Sequence, residues 1–414
     1  MSQTAIEYEL TNEKPLKTLY KNKKFILLWI SSLFTGLSLS MYMLTETWYV
    51  VNVLEKKSML GFVLMATTLP RVLLLMIGGV IADRMKSSTI MFLSNSMRGI
   101  LILIMIFFLH VGLLNIWLLI CFALLFGILD AFFWPASTSI IPIIVDKQIL
   151  TRANSIIQTT SQITTISGSV VAGWLLSISS FSVTFGFVSI ILVISGILAF
   201  RINDENRVRI SSGSTWGQLL EGLVYVKKSP LLISTMLLGV IVNLLFAGPV
   251  SLAGPLLVSD LFQGDIQDLS FVQSALPVGI VIGGFLVAVW NPTKKRGRVF
   301  LQRLVIMGFV LVLYSQVKEL WQCILTTGWL GILIAAGIPL RSLIQENTEP
   351  DKLGRVQGIN FTATTGLIPL SYALTSILLS WDISIQSILF YSGVFLILVT
   401  LLATWKFPIL RKAD

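Results

Sequence analysis

Long apolar runs separated by short polar connections dominate the pattern along this chain. Runs near the roughly 20 residues that a bilayer crossing needs fall at 25–51, 59–82, 89–110, 113–136, 155–178 and 181–201. A second series falls at 231–258, 269–290, 299–317, 320–340, 358–381 and 385–405. Twelve runs predict twelve transmembrane helices. In lipid a helix satisfies its own backbone, whereas a barrel would show ten-residue alternating strands. The expected organisation is an N-terminal tail (1–24), a six-helix bundle (25–201), a linker (202–230), a second six-helix bundle (231–405) and a short tail (406–414). Within the linker, Trp216, Leu219, Leu220 and Leu223 recur at i, i+3, i+4 and i+7, which predicts an amphipathic helix along the membrane face.

The two series repeat one another. Gly78-Gly79 returns as Gly283-Gly284, Arg98 as Arg303, Pro135 as Pro339, and Leu150-Thr151-Arg152 as Leu353-Gly354-Arg355, at an offset of 203–205 residues. Two pseudo-symmetric halves in parallel duplication follow.

Composition agrees with a membrane chain: 55% hydrophobic, 12% charged and a mean hydropathy of +0.86, against about 25% charged in soluble domains. The net charge of +10 could suggest a nucleic-acid partner, but the bases cluster at the termini and in alternate loops. Only Lys56, Lys57 and Lys318 fall in loops on the other side. This is the positive-inside bias: it places both termini in the cytoplasm and excludes a nucleic-acid face. Residues 1–24 lack an apolar core and a small-residue cleavage site, so the first span is expected to serve as an uncleaved anchor. Trp48, Trp117, Trp321 and Trp381 near outer ends and Trp29, Trp290 and Trp405 near inner ends fit aromatic belts. Cys121 and Cys323 are too few and too distant for a disulfide framework, and His110 stands alone, so no metal site is expected. There is no phosphate loop, nucleophile elbow or zinc-protease helix. Enzymatic chemistry, a cofactor and direct ATP drive are therefore not expected.

Around one turn the chain reads Gly78-Gly79-Val80-Ile81-Ala82-Asp83-Arg84-Met85-Lys86. The glycines let another backbone approach, and Asp83-Arg84 sits where water begins. Gly79-x-x-x-Asp83-Arg84 resembles the first half of the loop signature of major facilitator superfamily transporters, with Lys86, Ser87 and Ser88 where that family continues with Gly, Arg and a base. In the second copy Ala288 replaces Asp83. The stretch Asp130-Ala131-Phe132-Phe133-Trp134-Pro135-Ala136, then Ile141-Pro142 and Leu150-x-x-Ala153-Asn154, is similar to the macrolide-efflux and siderophore-secretion branch. Gly248-Pro249, Gly254-Pro255 and Leu343-Ile344-Gln345 agree. The resemblance implies the major facilitator fold, a proton-driven exporter, a cavity lined by spans one, four, seven and ten, and gating contacts at Gly78, Gly79, Asp83 and Arg84. Exporters of that superfamily often carry Gly-Pro in the fifth span. This chain has Gly168-Ser169 with Gly173, read as close helix packing or as a seal between the halves.

Ionisable residues inside spans are the most informative, because each costs roughly 2.5–3.5 kcal/mol at the bilayer centre. Glu46, Arg71, Arg98 and Asp130 qualify. At 1.5 Å per residue Arg98 lies about 13 Å and Asp130 about 10 Å from the inner ends of their spans. Two pairings follow, Asp130 with Arg98 or with Arg84, and Asp130 carries either a bracing or a proton-carrying role. Glu46 is either the other proton-coupling candidate, since desolvation raises a carboxyl pKa and a nearby arginine such as Arg71 lowers it, or an interfacial glutamate that snorkels to water. Cavity candidates are Thr45, Glu46, Asn243, Arg341 and Gln345. So apolar a pocket suits a bulky amphiphile: a drug, a macrolide-like antibiotic or a secreted metabolite. The expected partners are that small molecule, protons and the lipid of a bacterial cytoplasmic membrane, and the expected state is a monomer. An importer or lipid flippase on the same fold, and a non-transporting receptor, stand as alternatives.

Overall fold

The computed structural model describes residues 19–204, 224–227, 229–290, 295–346, 348–349 and 352–406. The expected linker helix around Trp216 to Leu223 lies outside them. Among the described residues the fold is all-helical, without strands. In chain order the helices are α1 (Lys23–Trp48, extended by a π-helical turn Tyr49–Val53), α2 (Leu60–Arg84), α3 (Ser87–His110) and α4 (Ile116–Ser139). There follow α5 (Ile141–Ile144), α6 (Leu150–Ile178), α7 (Phe181–Phe200), α8 (Pro230–Asp260), α9 (Ile266–Trp290) and α10 (Arg296–Ser315). The last are α11 (Leu320–Ala335), α12 (Ile338–Glu346), α13 (Leu353–Thr365), α14 (Ile368–Ser380) and α15 (Ile385–Lys406).

Eleven helical segments are long and apolar enough to cross a bilayer, among the described residues. The expected run 155–178 lies in α6, 29 residues long but too polar to count with them. Several of its hydroxyls are turned onto the helix's own carbonyls: Thr165 to Ser161 at 2.9 Å, Ser167 to Ile163 at 2.8 Å, Ser169 to Thr165 at 3.1 Å. That removes part of the cost of carrying them in an apolar setting. Two other runs, read as continuous, are broken. The run 320–340 divides between α11 and α12, and 358–381 between α13 and α14. Gly337 and Gly366 stand at the breaks, with Pro339 and Pro369 in the first turns that follow, where a missing N–H costs nothing.

The described residues fall into two compact units. One is drawn from Met1–Thr45, Leu73–Leu114 and Leu124–Ile210, the other from Glu46–Val72, Asn115–Ala123 and Ser211–Asp414. In the first, α3 packs on α7 through reciprocal glycines. A Cβ at Gly99 would come 3.2 Å from the Ser189 carbonyl, and one at Gly196 3.2 Å from the Phe92 carbonyl. Asp204, nearly buried, accepts from the Ser88 N–H at 3.1 Å and from its hydroxyl, so a carboxylate caps the N-terminus of α3. In the second unit α10 and α15 meet the same way, Gly308 over the Gly393 carbonyl (2.8 Å) and Gly393 over the Gly308 carbonyl (2.6 Å). This unit also takes in the end of α1 and the start of α2. Lys57 forms an ion pair with Asp260 at the end of α8, and Gly61 rests against the Tyr372 carbonyl of α14.

Trp117, Trp290, Trp321, Trp381 and Trp405 are all exposed, as belt residues must be. Trp48 and Trp29 depart from that expectation. Trp48 is buried, and the Trp29 indole donates to the Thr160 hydroxyl at 2.8 Å, because each finds protein rather than interface beside it.

The glycine pairs at 78–79 and 283–284 divide in the same way. Gly78 lies against the Ala131 carbonyl of α4, and Gly283 within 2.7–2.9 Å of Ile332 and Ala335 of α11, for a Cβ built on each. Gly79 and Gly284 face open space. The sequence reading gave both members of each pair the same role, and only the first has it. Gly283→Val is expected to cost about 1–3 kcal/mol by overpacking and to lower the thermal unfolding midpoint in detergent. Gly284→Val should leave the midpoint unchanged.

Candidate functional site

The first unit holds a buried polar network centred on an arginine. Arg98, on α3, is fully buried, and its Nη2 lies 2.5 Å from Asp130 Oδ1 on α4. Of the two pairings open to Asp130, the structure forms this one, and Arg84 is exposed at the end of α2. A buried guanidinium needs oxygen on several sides, and the chain supplies it. Asn95 Oδ1, one turn earlier, accepts from Nη1 at 3.3 Å, and the Phe133 ring lies 5.1 Å from the guanidinium carbon. The Asn95 amide then donates to Thr35 (2.8 Å) and Ser195 (3.1 Å), and Ser195 exchanges hydrogen bonds with Ser31. One buried chain of hydrogen bonds therefore ties α1, α3, α4 and α7.

Sequence reading found Arg98 and Asp130 because charges are conspicuous in apolar runs. It missed Ser31, Thr35, Asn95 and Ser195, since small polar residues are common in membrane helices and give no period. The one usable signal was Asn95-x-x-Arg98, which puts an amide and a guanidinium on one helical face.

In the second unit the matching arginine meets main-chain oxygens. Arg303, on α10, donates from Nη1 to the carbonyls of Leu333 (3.1 Å) and Ile334 (3.2 Å). Both lie in the last turn of α11 before the break, and the Ile334 carbonyl also accepts from the Gly337 N–H at 3.1 Å. A cation there also meets the negative end of the helix dipole.

Glu46 is buried, 2% exposed, near the end of α1 and within the second unit. Arg71 belongs to the same unit, half-buried on α2. Thr45 is fully buried, and its hydroxyl is committed to the Met41 carbonyl at 2.8 Å. Asn243 is half-buried and donates to the Gly239 carbonyl at 3.0 Å; Gln345 is exposed on α12. The side chains of Asp83 and Arg341 lie outside the described residues. Gly168 packs α6 on α1: its Cβ would meet Ser40 at 2.6 Å and the Leu37 carbonyl at 2.8 Å, and Gly173 is buried beside it. Cys121 and Cys323 are both free thiols, and no metal-binding cluster occurs among the described residues.

Membrane-length helices, internal duplication and charge buried within the bundles define a polytopic membrane transporter. The family model for the Major Facilitator Superfamily matches residues 28–371, and the chain belongs to that superfamily. It is an integral protein of the cell membrane and not an enzyme. Macrolide efflux protein A of Streptococcus pyogenes is 24% identical over 371 residues, spanning 86% of this chain and 89% of the relative. A macrolide efflux protein A of Enterococcus faecalis is 23% identical over 325 residues, 76% of this chain and 96% of the relative. Among solved structures, the nucleoside transporter NupG superposes with a TM-score of 0.72 at 13% identity, covering 93% of this chain and 99% of that one. A bacterial homologue of the human lysosomal transporter Spinster gives 0.66 at 14% identity, covering 94% and 98%.

Asp130→Asn strands the Arg98 charge, which costs about 3–5 kcal/mol for a buried pair broken on one side. Unfolding of the purified protein in detergent should show a large fall in midpoint. Arg98→Met combined with Asp130→Leu should recover most of it.

Proposed function

We propose that the protein is a secondary active exporter of bulky amphiphilic compounds, working by proton antiport. In this reading the halves 25–201 and 231–405 alternate access to a site near the membrane midplane. The observation that carries it is the similarity to macrolide efflux proteins along most of both chains. The fold neighbours include nucleoside and proton-dependent oligopeptide transporters, so fold by itself sets neither cargo nor direction. Support for proton coupling comes from Glu46. A carboxyl removed from water inside a span is able to exchange a proton for a cationic or neutral substrate at one position. Asp130, held by Arg98, acts in this scheme as the brace of the first half. Gly78, Asp83 and Arg84, in the last two turns of α2, would make contacts that break and reform during the cycle.

Inverted membrane vesicles test the proposal. With an imposed proton gradient, inside acidic, they should accumulate a macrolide, and collapse of the gradient should stop accumulation. Glu46→Gln should abolish gradient-driven accumulation, at least about 10-fold down, which is some 1.4 kcal/mol or more in the driven step. Downhill counterflow should persist. Gradient-driven uptake that survives Glu46→Gln would remove that residue from the coupling step. Accumulation in right-side-out vesicles instead would reverse the direction.

A further inference from the structure

The helix that fails to qualify as a bilayer span carries a feature that the export reading leaves unused. Asn154, Gln158, Ser161, Gln162 and Thr165 recur on α6 at i, i+4, i+7, i+8 and i+11, so they share one face. Asn154, Gln158, Ser161 and Thr165 are exposed and Gln162 half-exposed. A different face of the same helix packs inward. Ala153, Thr160, Thr164 and Gly168 are buried, Thr160 receives the Trp29 indole, and Gly168 seats α6 on α1. The polar face therefore extends about 17 Å along a membrane-length helix, at 1.5 Å per residue, without a packing partner in its own unit.

Lipid tails offer nothing to a primary amide, so an exposed row of amides in this position points to an aqueous pathway. The stripe also has a definite chemistry. The Thr165 hydroxyl is already committed to the Ser161 carbonyl at 2.9 Å. The amides of Asn154, Gln158 and Gln162 make no hydrogen bond among the described residues, so each presents two N–H donors and a carbonyl acceptor. No ionisable residue occurs from Asn154 to Thr165. The corresponding stretch of the duplicated half is polar as well, with Gln357, Asn360, Thr362 and Thr365 on α13.

We propose that the Asn154–Gln158–Gln162 face is a substrate subsite for a neutral, hydroxyl- and carbonyl-rich moiety, such as the sugars of a glycosylated macrolide. A neutral donor–acceptor ladder suits hydroxyl groups, which also give and accept, and offers no counter-charge to an ammonium or carboxylate. Its length suits an extended polar edge better than a single small group. The charged or apolar remainder of the cargo lies elsewhere. This assignment rests on the export reading and deepens it.

The test uses the full-length protein in inverted vesicles, with a macrolide glycoside and its sugar-free aglycone as paired substrates. Gln158→Leu and Gln162→Leu should each raise KM for the glycoside about 10-fold, the loss of roughly one hydrogen bond to a buried partner. KM for the aglycone should change less than about two-fold. Gln158→Asn and Gln162→Asn, which keep a shortened amide, should give intermediate shifts and guard against a variant that fails to assemble. Equal shifts for both compounds, or none for either, would mean that the stripe is only hydrated wall, and the subsite is overturned. If the wild-type protein moves neither compound, the export reading and the subsite fall together. If it moves both and the variants discriminate nothing, only the subsite falls.

Discussion

An arginine within a helical bundle needs oxygen acceptors, and both copies of the duplicated chain supply them, to a fully buried Arg98 and to a half-buried Arg303. In the first, the buried Arg98 places Nη2 on the Asp130 carboxylate and Nη1 on the Asn95 amide oxygen. Asn95 also faces Thr35 and Ser195, and the network continues into α1 and α7. In the second copy the residue aligned with Asp130, at the 203–205 offset, is Ile334. Arg303 then takes the carbonyl of that same residue and of its neighbour. Both carbonyls stand in the last turn of α11, just before its break from α12. Gly337 shows how tight the arrangement is, because any Cβ there would fall on the Arg303 guanidinium.

Backbone proximity is the second constraint. Helices in lipid gain little from apolar contact alone, so close packing at small residues carries much of the association. The first glycine of each pair, Gly78 or Gly283, brings its helix against α4 or α11 beside the residue that meets the buried arginine. The glycine contact and the charge contact therefore lie within one turn of each other in both copies, and each limits how far the other can shift.

Much of this fold was legible in the chain, because a bilayer leaves few solutions: long apolar runs had to be helices, and a constant offset between motifs had to reflect duplication. Depth brought Arg98 and Asp130 to similar heights but left Arg84 open as a partner, and the structure pairs Asp130 with Arg98. Less was legible where apolarity and length disagree. The hydroxyls and amides of α6 were read through small-residue packing at Gly168, and their second, exposed face went unnoticed because a packing argument concerns only the buried one. The breaks at Gly337 and Gly366 were hidden for a different reason. Hydropathy averages over a window, and one glycine with a proline two or three residues later hardly changes the mean.

The two copies differ in a consistent direction. Gly78, Arg98 and Pro135 recur as Gly283, Arg303 and Pro339, so the residues that set backbone approach, buried cation and helix bending are retained. The acids are not retained: Glu46, Asp83 and Asp130 align with Val250, Ala288 and Ile334. The duplication thus keeps these glycine, arginine and proline positions in both halves and these three acids in one. Under the antiport reading the proton-linked step needs an acid held away from water, and Glu46 is buried. An arginine cannot substitute, because it remains protonated throughout. Under the antiport reading the protonation event is assigned to the first copy, which carries Glu46.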